Sequence, residues 1–353
     1  MNMEPTPLGV GVLKEQVGTN GFSRWRSKKY NIMDLIEKYS KLNLTELLIP
    51  LEELHACRIC PRNCNADRFS RKLGYCKADA SFSISSIFAH QGEEPAISGD
   101  KGICNIFFTN CNLQCIYCQN HQISCNSLDY SVNKMKLEEV LNQIVSILTN
   151  GINHVGFVSP SHYIPQVKVI VNSLRALGLN PVFVYNSNGY DTMESIRSLE
   201  PFIDVYLPDY KYADAEMGRK YSDVKDYPSV ALSALKEMYR QKGSLLPLND
   251  EGYATRGLII RHLVLPGHPQ NSINVLRNIA SELSNELHIS LMAQYYPTYQ
   301  VKDHEILGRT LKFREYQKVV DELEYLGFEN GWVQELSSHE SYRPDFEAEK
   351  PFE

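Results

Sequence analysis

At 353 residues the chain has the length of about two ordinary domains, or of one α/β barrel with an appendage. A formal charge of −6, from 36 Lys and Arg against 42 Asp and Glu, excludes a general nucleic-acid binder, which carries a strongly basic balance. No stretch reaches the ~18 unbroken apolar residues of a membrane helix, and Met1–Gly21 lacks the basic start and apolar run of a secretion signal, so a cytoplasmic chain with no membrane partner is expected.

Residues 1–30, rich in Pro, Gly and polar side chains, read as a flexible arm. Residues 31–56 are helical in character, with Ile32, Leu35, Ile36 and Tyr39 on one stripe. They open an N-terminal unit, 31–100, whose second part is rich in cysteine. All nine cysteines of the chain fall between Cys57 and Cys125. A secreted disulfide scaffold spreads its cysteines and usually holds an even number. Clustering at short spacings points to metal ligation in a reducing compartment. Cys57-x2-Cys60-x3-Cys64-x11-Cys76 supplies four thiols in a segment, 57–80, too poor in apolar residues to fold on burial alone. Four thiolates close either a structural zinc site or a saturated auxiliary iron–sulfur cluster, and spacing does not separate the two. Arg58, Arg62, Arg68, Arg71, Lys72 and Lys77 would offset the negative charge of such a site.

From about residue 101 short β-rich runs alternate with stretches of helical period. The expected strands are Ile103–Thr109, His154–Ser159, Pro181–Ser187, Ile203–Asp209, Leu258–Leu265 and His288–Gln294. Helices are expected over 136–149, 273–287 and 312–326, the last stopped by Gly327. Strands alternating with helices imply βαβ units and a parallel sheet. Six units predict an α/β fold, a partial (β/α)6 barrel over 101–340, followed by a C-terminal tail, 341–353.

Directly after the first barrel strand stands Cys111-Asn-Leu-Gln-Cys115-Ile-Tyr-Cys118. Three thiolates at these spacings can hold three irons of a [4Fe–4S] cluster and leave the fourth iron open to a ligand. The loop after a barrel strand is also where such folds place their chemistry. The alternative is a zinc ribbon, a binding module without catalysis, with Cys104 or Cys125 as fourth ligand. Zinc ribbons favour two separated Cys-x-x-Cys knuckles, and this segment has one. Cys104 and Cys125 otherwise read as small core residues.

Cys-x3-Cys-x-aromatic-Cys, with Tyr117 in the aromatic position, is the signature of the radical S-adenosylmethionine (SAM) superfamily. The surrounding residues 106–120 resemble the pyruvate formate-lyase activating enzymes, in particular a branch with an additional cysteine-rich N-terminal segment; the resemblance covers roughly 55–340. It implies a radical SAM barrel in which SAM chelates the open iron of a [4Fe–4S] cluster and is cleaved reductively to a 5′-deoxyadenosyl radical. The substrate implied is a protein or peptide, as in glycyl-radical activation, with a small metabolite as the alternative. Glutathione, at roughly −220 to −320 mV, is too weak a reductant, so a flavodoxin- or ferredoxin-like donor is implied.

Alternation puts Asn186 and Asn188 on one face at the end of the third strand, and Gly189 permits a close backbone approach. The matching segment of the activases lies at SAM; the plain reading is an Asn-Gly turn. Asp209 and Lys211 share a face at the end of the fourth strand. The activases have an Asp-x-Lys there that contacts SAM, whereas a surface ion pair would contribute little. Arg261 lies inside an apolar run and needs an anionic partner. Asp204 or Asp209 could supply it, and the resemblance adds the SAM carboxylate. The second strand departs from the pattern. Where radical SAM enzymes carry a Gly-Gly-Glu-like stretch for the SAM amino group, this chain reads Val158-Ser159-Pro160-Ser161-His162-Tyr163. Ser159 or Ser161 could accept that hydrogen bond, and His162 is either a substrate-side acid or base or a loop residue. Tyr295, Tyr296 and Tyr299 after the sixth strand either wall the pocket or pack under a loop.

Overall fold

The computed structural model describes residues 6–7, 39, 41–70, 72–340, 343–348 and 351–352. Most of the expected arm and Ile32, Leu35 and Ile36 of the expected first helix lie outside these residues. The part of 31–56 that is described holds a short helix, Leu44–Leu47, and a 3-10 helix, Ile49–Ala56.

The strands in chain order are β1 (Thr6–Pro7), β2 (Phe82–His90), β3 (Ile103–Phe108), β4 (Lys134–Met135), β5 (His154–Val158), β6 (Val182–Asn186), β7 (Val205–Tyr206), β8 (Gly257–Leu263), β9 (His288–Met292) and β10 (Gly331–Val333). They form one sheet in the order β1-β10-β9-β8-β7-β6-β5-β3-β2-β4. The six expected strands occupy its middle as β3 and β5–β9, and each neighbouring pair among them is parallel. β3 and β5 are buried along their whole length, as strands covered on both faces must be. The protein is therefore an α/β fold with a mostly parallel sheet. Four strands were not expected. β10 adds in parallel to β9, β1 pairs antiparallel with β10, and β2 and β4 extend the other edge antiparallel. β2 belongs to this sheet although the sequence reading assigned residues 31–100 to a separate N-terminal unit.

Side chains from strands as far apart in the order as β3 and β10 line one cavity, so the sheet curves into the expected partial barrel. β7 is the shortest central strand because Pro208 has no N–H to continue its ladder. Pairing resumes at an isolated bridge between Asp209 and Arg261.

Helix Leu137–Leu148 buries Leu137, Val140, Leu141, Ile144 and Val145, one face of its helical period. Helix Pro269–Glu282 begins four residues before its expected start, with proline at its first position, and stops where Leu283 leaves helical geometry (φ −126°, ψ −93°). Helix Phe313–Tyr325 ends before Gly327, which takes φ +74°.

The cysteine-rich segment is stitched to the barrel. The buried Arg68 donates to the Asp79 carbonyl from Nε (3.1 Å) and Nη2 (2.7 Å) and to the His162 carbonyl from Nη1 (2.5 Å). Ser195 Oγ donates to the Ile59 carbonyl at 2.6 Å.

Candidate active site

The cavity lies inside the curve of the sheet and holds about 1400 Å³ of space, its open mouth included. Cys111, Cys115, Tyr117 and Cys118 line it from the loop after β3. Asn110 turns the chain out of the strand with φ +62°, a conformation that asparagine tolerates better than most residues. Asn126 pins the loop by accepting from the Cys111 N–H (3.0 Å) and donating to the Cys111 carbonyl (2.9 Å). The three sulfurs are met by donors. Asn188 Nδ2 lies 3.3 Å and the Leu113 N–H 3.4 Å from Cys111 Sγ, Ser222 Oγ 2.9 Å from Cys115 Sγ, and Ser124 Oγ 3.2 Å from Cys118 Sγ. Burial pushes the thiols up, Cys111 to about 12 and Cys115 to about 11. A positive centre beside them would favour their ionised form.

Among the described residues no three Cys, His, Asp or Glu side chains converge as a single bound ion requires. A cubane makes a different demand, because each thiolate holds its own iron and the ligands stand apart around it. Three thiols on one cavity wall, Cys111 buried and Cys115 and Cys118 half-buried, with a polar partner beside each sulfur, fit a cluster. A fourth ligand for a zinc ribbon is missing from this wall. Cys104 is fully buried within β3, Cys125 sits beside Ser127 (3.1 Å), and neither lines the cavity.

Asn186, Asn188, Asp209, Lys211 and Arg261 line the same cavity. Asn188 reaches the cysteine loop, donating also to Asn112 Oδ1 at 2.8 Å. Asn186 Nδ2 lies 3.3 Å from Glu93 Oε1. Lys211 Nζ pairs with Asp209 Oδ2, and the two side chains are 18% and 21% exposed. Burial alone would lower the Lys211 pKa, but Asp209 and Cys115 hold it above its ordinary value. Tyr117 is buried, its hydroxyl 2.5 Å from that of Tyr212. Gly189 does not line the cavity. A Cβ there would stand 2.1 Å from the Asp209 carbonyl oxygen, so this glycine lets the chain after β6 lie against the chain after β7.

Arg261 finds its anions within the protein: Glu93 at 2.9 Å, with Glu94 and Asp209 both at 3.6 Å. Asp204 is not among these; it accepts from the Phe183 N–H at 2.8 Å. Glu93 and Glu94 had no place in the sequence reading, although both line the cavity. The alternating run Phe82–His90 just before them is the signal that could have placed them. The cavity also takes Trp332 from β10, Gln334 just after it, and Pro344 and Phe352 from the expected tail.

Ser159, held at φ +53°, lines the cavity, whereas Ser161 is fully buried away from it. His162 corrects the reading of a substrate-side acid or base. It is buried, its Nε2 donates to the Thr109 carbonyl (2.9 Å), and burial lowers its pKa to about 3. It faces the second pocket instead. None of the three tyrosines after β9 lines the cavity. Tyr295 is buried with its hydroxyl on the Leu307 carbonyl (2.7 Å), Arg343 covers the ring of Tyr296, and Tyr299 is exposed. Met292 and Gln294 take the wall in their place.

The second pocket gathers Cys57, Cys60, Cys64 and Cys76 with Arg62, Arg68 and His162. Cys57, Cys60 and Cys76 are buried and Cys64 is exposed. Of the six basic residues expected to offset their charge, Arg62 and Arg68 line the pocket, and Arg71 lies outside the described residues.

No protein-family model matches the chain. It is 28% identical over 292 residues to an uncharacterized protein of Methanocaldococcus jannaschii, covering 80% of this chain and 79% of that one. Among solved structures it is similar to Streptococcus suis SuiB bound to S-adenosylmethionine (TM-score 0.43, 12% identity, 64% of this chain), of which it spans about half the length (48%). It is also similar to methylornithine synthase, PylB, with TM-score 0.43 and 14% identity over 86% of this chain and 76% of that one.

Proposed function

We propose that this chain is a radical SAM enzyme acting on a protein or peptide, in the manner of the glycyl-radical activases. One observation carries the reading: the three cysteines of the signature, Asn188, Asp209 and Lys211 all open onto one cavity inside a parallel α/β sheet. A bound [4Fe–4S] cluster would supply the single electron that splits SAM into methionine and a 5′-deoxyadenosyl radical. Cys111, Cys115 and Cys118 would hold it, and the donors from Asn188, Ser222 and Ser124 would stabilise the ionised sulfurs.

The chain's own residues do the remaining work. Lys211 offers a cation to the carboxylate of SAM, and Asp209 offers an anion to its amino group. Each holds the other in place before the ligand arrives. Arg261, already engaged by Glu93, positions Asp209 rather than serving SAM directly. Trp332 and Phe352 screen part of the cavity from water. A low-potential flavodoxin- or ferredoxin-like protein would deliver the electron. At the second pocket Cys57, Cys60, Cys64 and Cys76 would take an auxiliary cluster, or zinc if they draw closer together, as a structural closure.

The test is direct. Protein reconstituted with iron and sulfide under nitrogen should show the broad visible absorption of an iron–sulfur cluster and release 5′-deoxyadenosine when reduced with SAM. Cys115→Ala should abolish that release. Undiminished release from the triple Cys111, Cys115 and Cys118→Ala variant would sink the reading.

A further inference from the structure

The interior of the cavity carries more negative charge than its own cations balance. Three carboxylates, Glu93, Glu94 and Asp209, face two cations, Lys211 and Arg261. Two of the three are committed: Glu93 receives Arg261 (2.9 Å) and Asn105 (2.9 Å), and Asp209 receives Lys211. Glu94 is not. Its side chain is 6% exposed, and its Oε1 stands 3.6 Å from Arg261 Nε. Its Oε2 is buried with no hydrogen-bond partner. A buried carboxylate oxygen left without a partner is unfavourable, because it has given up water and gained no donor. That cost is removed when a ligand supplies the donor.

The position of Glu94 indicates which ligand. Its neighbours Arg261 and Asn105, by way of Glu93, lie in the interior of β8 and β3, whereas the cysteine loop begins beyond the end of β3. SAM at the cysteines would therefore occupy the rim, leaving this deeper level to the second reactant. We propose that the substrate of this cavity carries an organic cation, an alkylammonium or guanidinium group, that pairs with Glu94. Burial raises the Glu94 pKa, and Glu93 adds to the rise against the pull of Arg261. The amino group of SAM is the competing occupant, and the experiment separates them.

The inference rests on the reading of this cavity as a SAM and substrate site. Reconstituted holoprotein, saturated with SAM, would be titrated with n-butylammonium and with its neutral counterpart 1-butanol, binding being followed by ligand-observed NMR. The wild type should bind the cation at least ~10-fold more tightly than the alcohol, the strength of one charged contact of ~1.4 kcal/mol. Glu94→Gln should erase the preference and leave iron content and SAM affinity unchanged, and Glu94→Asp, which keeps the charge, should retain part of it. Equal binding of the two probes by the wild type would overturn the proposal. So would a tenfold or greater loss of SAM affinity in Glu94→Gln with iron intact, since Glu94 would then belong to SAM. A protein that takes up neither iron nor SAM but still prefers butylammonium would support the cation site while refuting the radical SAM reading.

Discussion

Asp209 stands between two cations, Lys211 on its own strand end and Arg261 on the neighbouring strand. If it also receives SAM, its loss removes a charge-assisted hydrogen bond of about 1.5–3 kcal/mol in a partly dehydrated wall. Asp209→Ala should therefore weaken SAM binding roughly ten- to a hundredfold, at ~1.4 kcal/mol per factor of ten. Iron content should stay constant, because Asp209 is not a ligand. An unchanged dissociation constant would return the pair to the class of surface ion pairs worth ~0–1 kcal/mol. Asp209 and Lys211 were legible in the sequence because strand parity is a local property: two residues apart means one face. Glu93 and Glu94 were not. Their place depends on a connection between β2 and β3 folding back against β8, and no local pattern encodes that contact. Of the two readings of His162 the loop residue is the one seen, and the direction it faces was not legible for a related reason. Ser159 takes φ +53°, so the alternation that locates side chains along β5 does not carry past it.

At the scale of elements, the buried central strands were readable because a parallel sheet covered on both faces demands unbroken apolar runs. β2 is half-polar on its outer turn, with a bulge between Ile84 and Ser86, and the sequence reading passed over it. The cysteine-rich segment buries few apolar side chains, Ile59 and Ala78 beside its cysteines, and with them Arg68, whose guanidinium donates to two backbone carbonyls. With so little apolar burial, a metal at Cys57, Cys60, Cys64 and Cys76 would be part of the folding free energy. Replacing all four by Ala should lower the melting temperature and solubility by a clearly measurable amount, while Cys111, Cys115 and Cys118 can still take up iron. Calorimetry with parallel metal analysis checks both halves. Full metal content and unchanged melting would rule out a structural site there.

For the molecule as a whole, acid should be the damaging direction. His262 bridges β8 to the helix Pro269–Glu282, its Nδ1 on the Tyr210 carbonyl (2.6 Å) and its Nε2 beside Ser272 Oγ (2.8 Å). Burial lowers its pKa to about 4. A histidine depressed on folding binds its proton more readily in the unfolded chain, so stability falls as pH drops below the unfolded value of ~6.5 and levels off near the folded value. Each pH unit in that window costs about 1.4 kcal/mol per such group. His262→Gln should flatten this limb of a plot of melting temperature against pH, after allowance for its own offset at neutral pH. Among the described residues no helix is long and apolar enough to cross a membrane.

The unequal exposure of the four N-terminal thiols has a consequence for how the protein ages in air. Burial raises the Cys60 thiol to about 12 and also raises that of Cys76, which keeps both in the unreactive protonated form; Cys64 alone of the four lies open to solvent. Oxidation follows thiolate character and access, climbing from the reversible sulfenic acid to the irreversible sulfinic and sulfonic acids. In metal-free protein left under oxygen, peptide mass spectrometry should therefore find added oxygens on Cys64 before Cys57, Cys60 or Cys76. If a metal closes these four thiols, the loss of Cys64 in this way leaves three where closure needs four, and iron or zinc restored afterwards should no longer be retained. Handling under nitrogen thus protects a single sulfur first, and through it the segment that leans on the barrel.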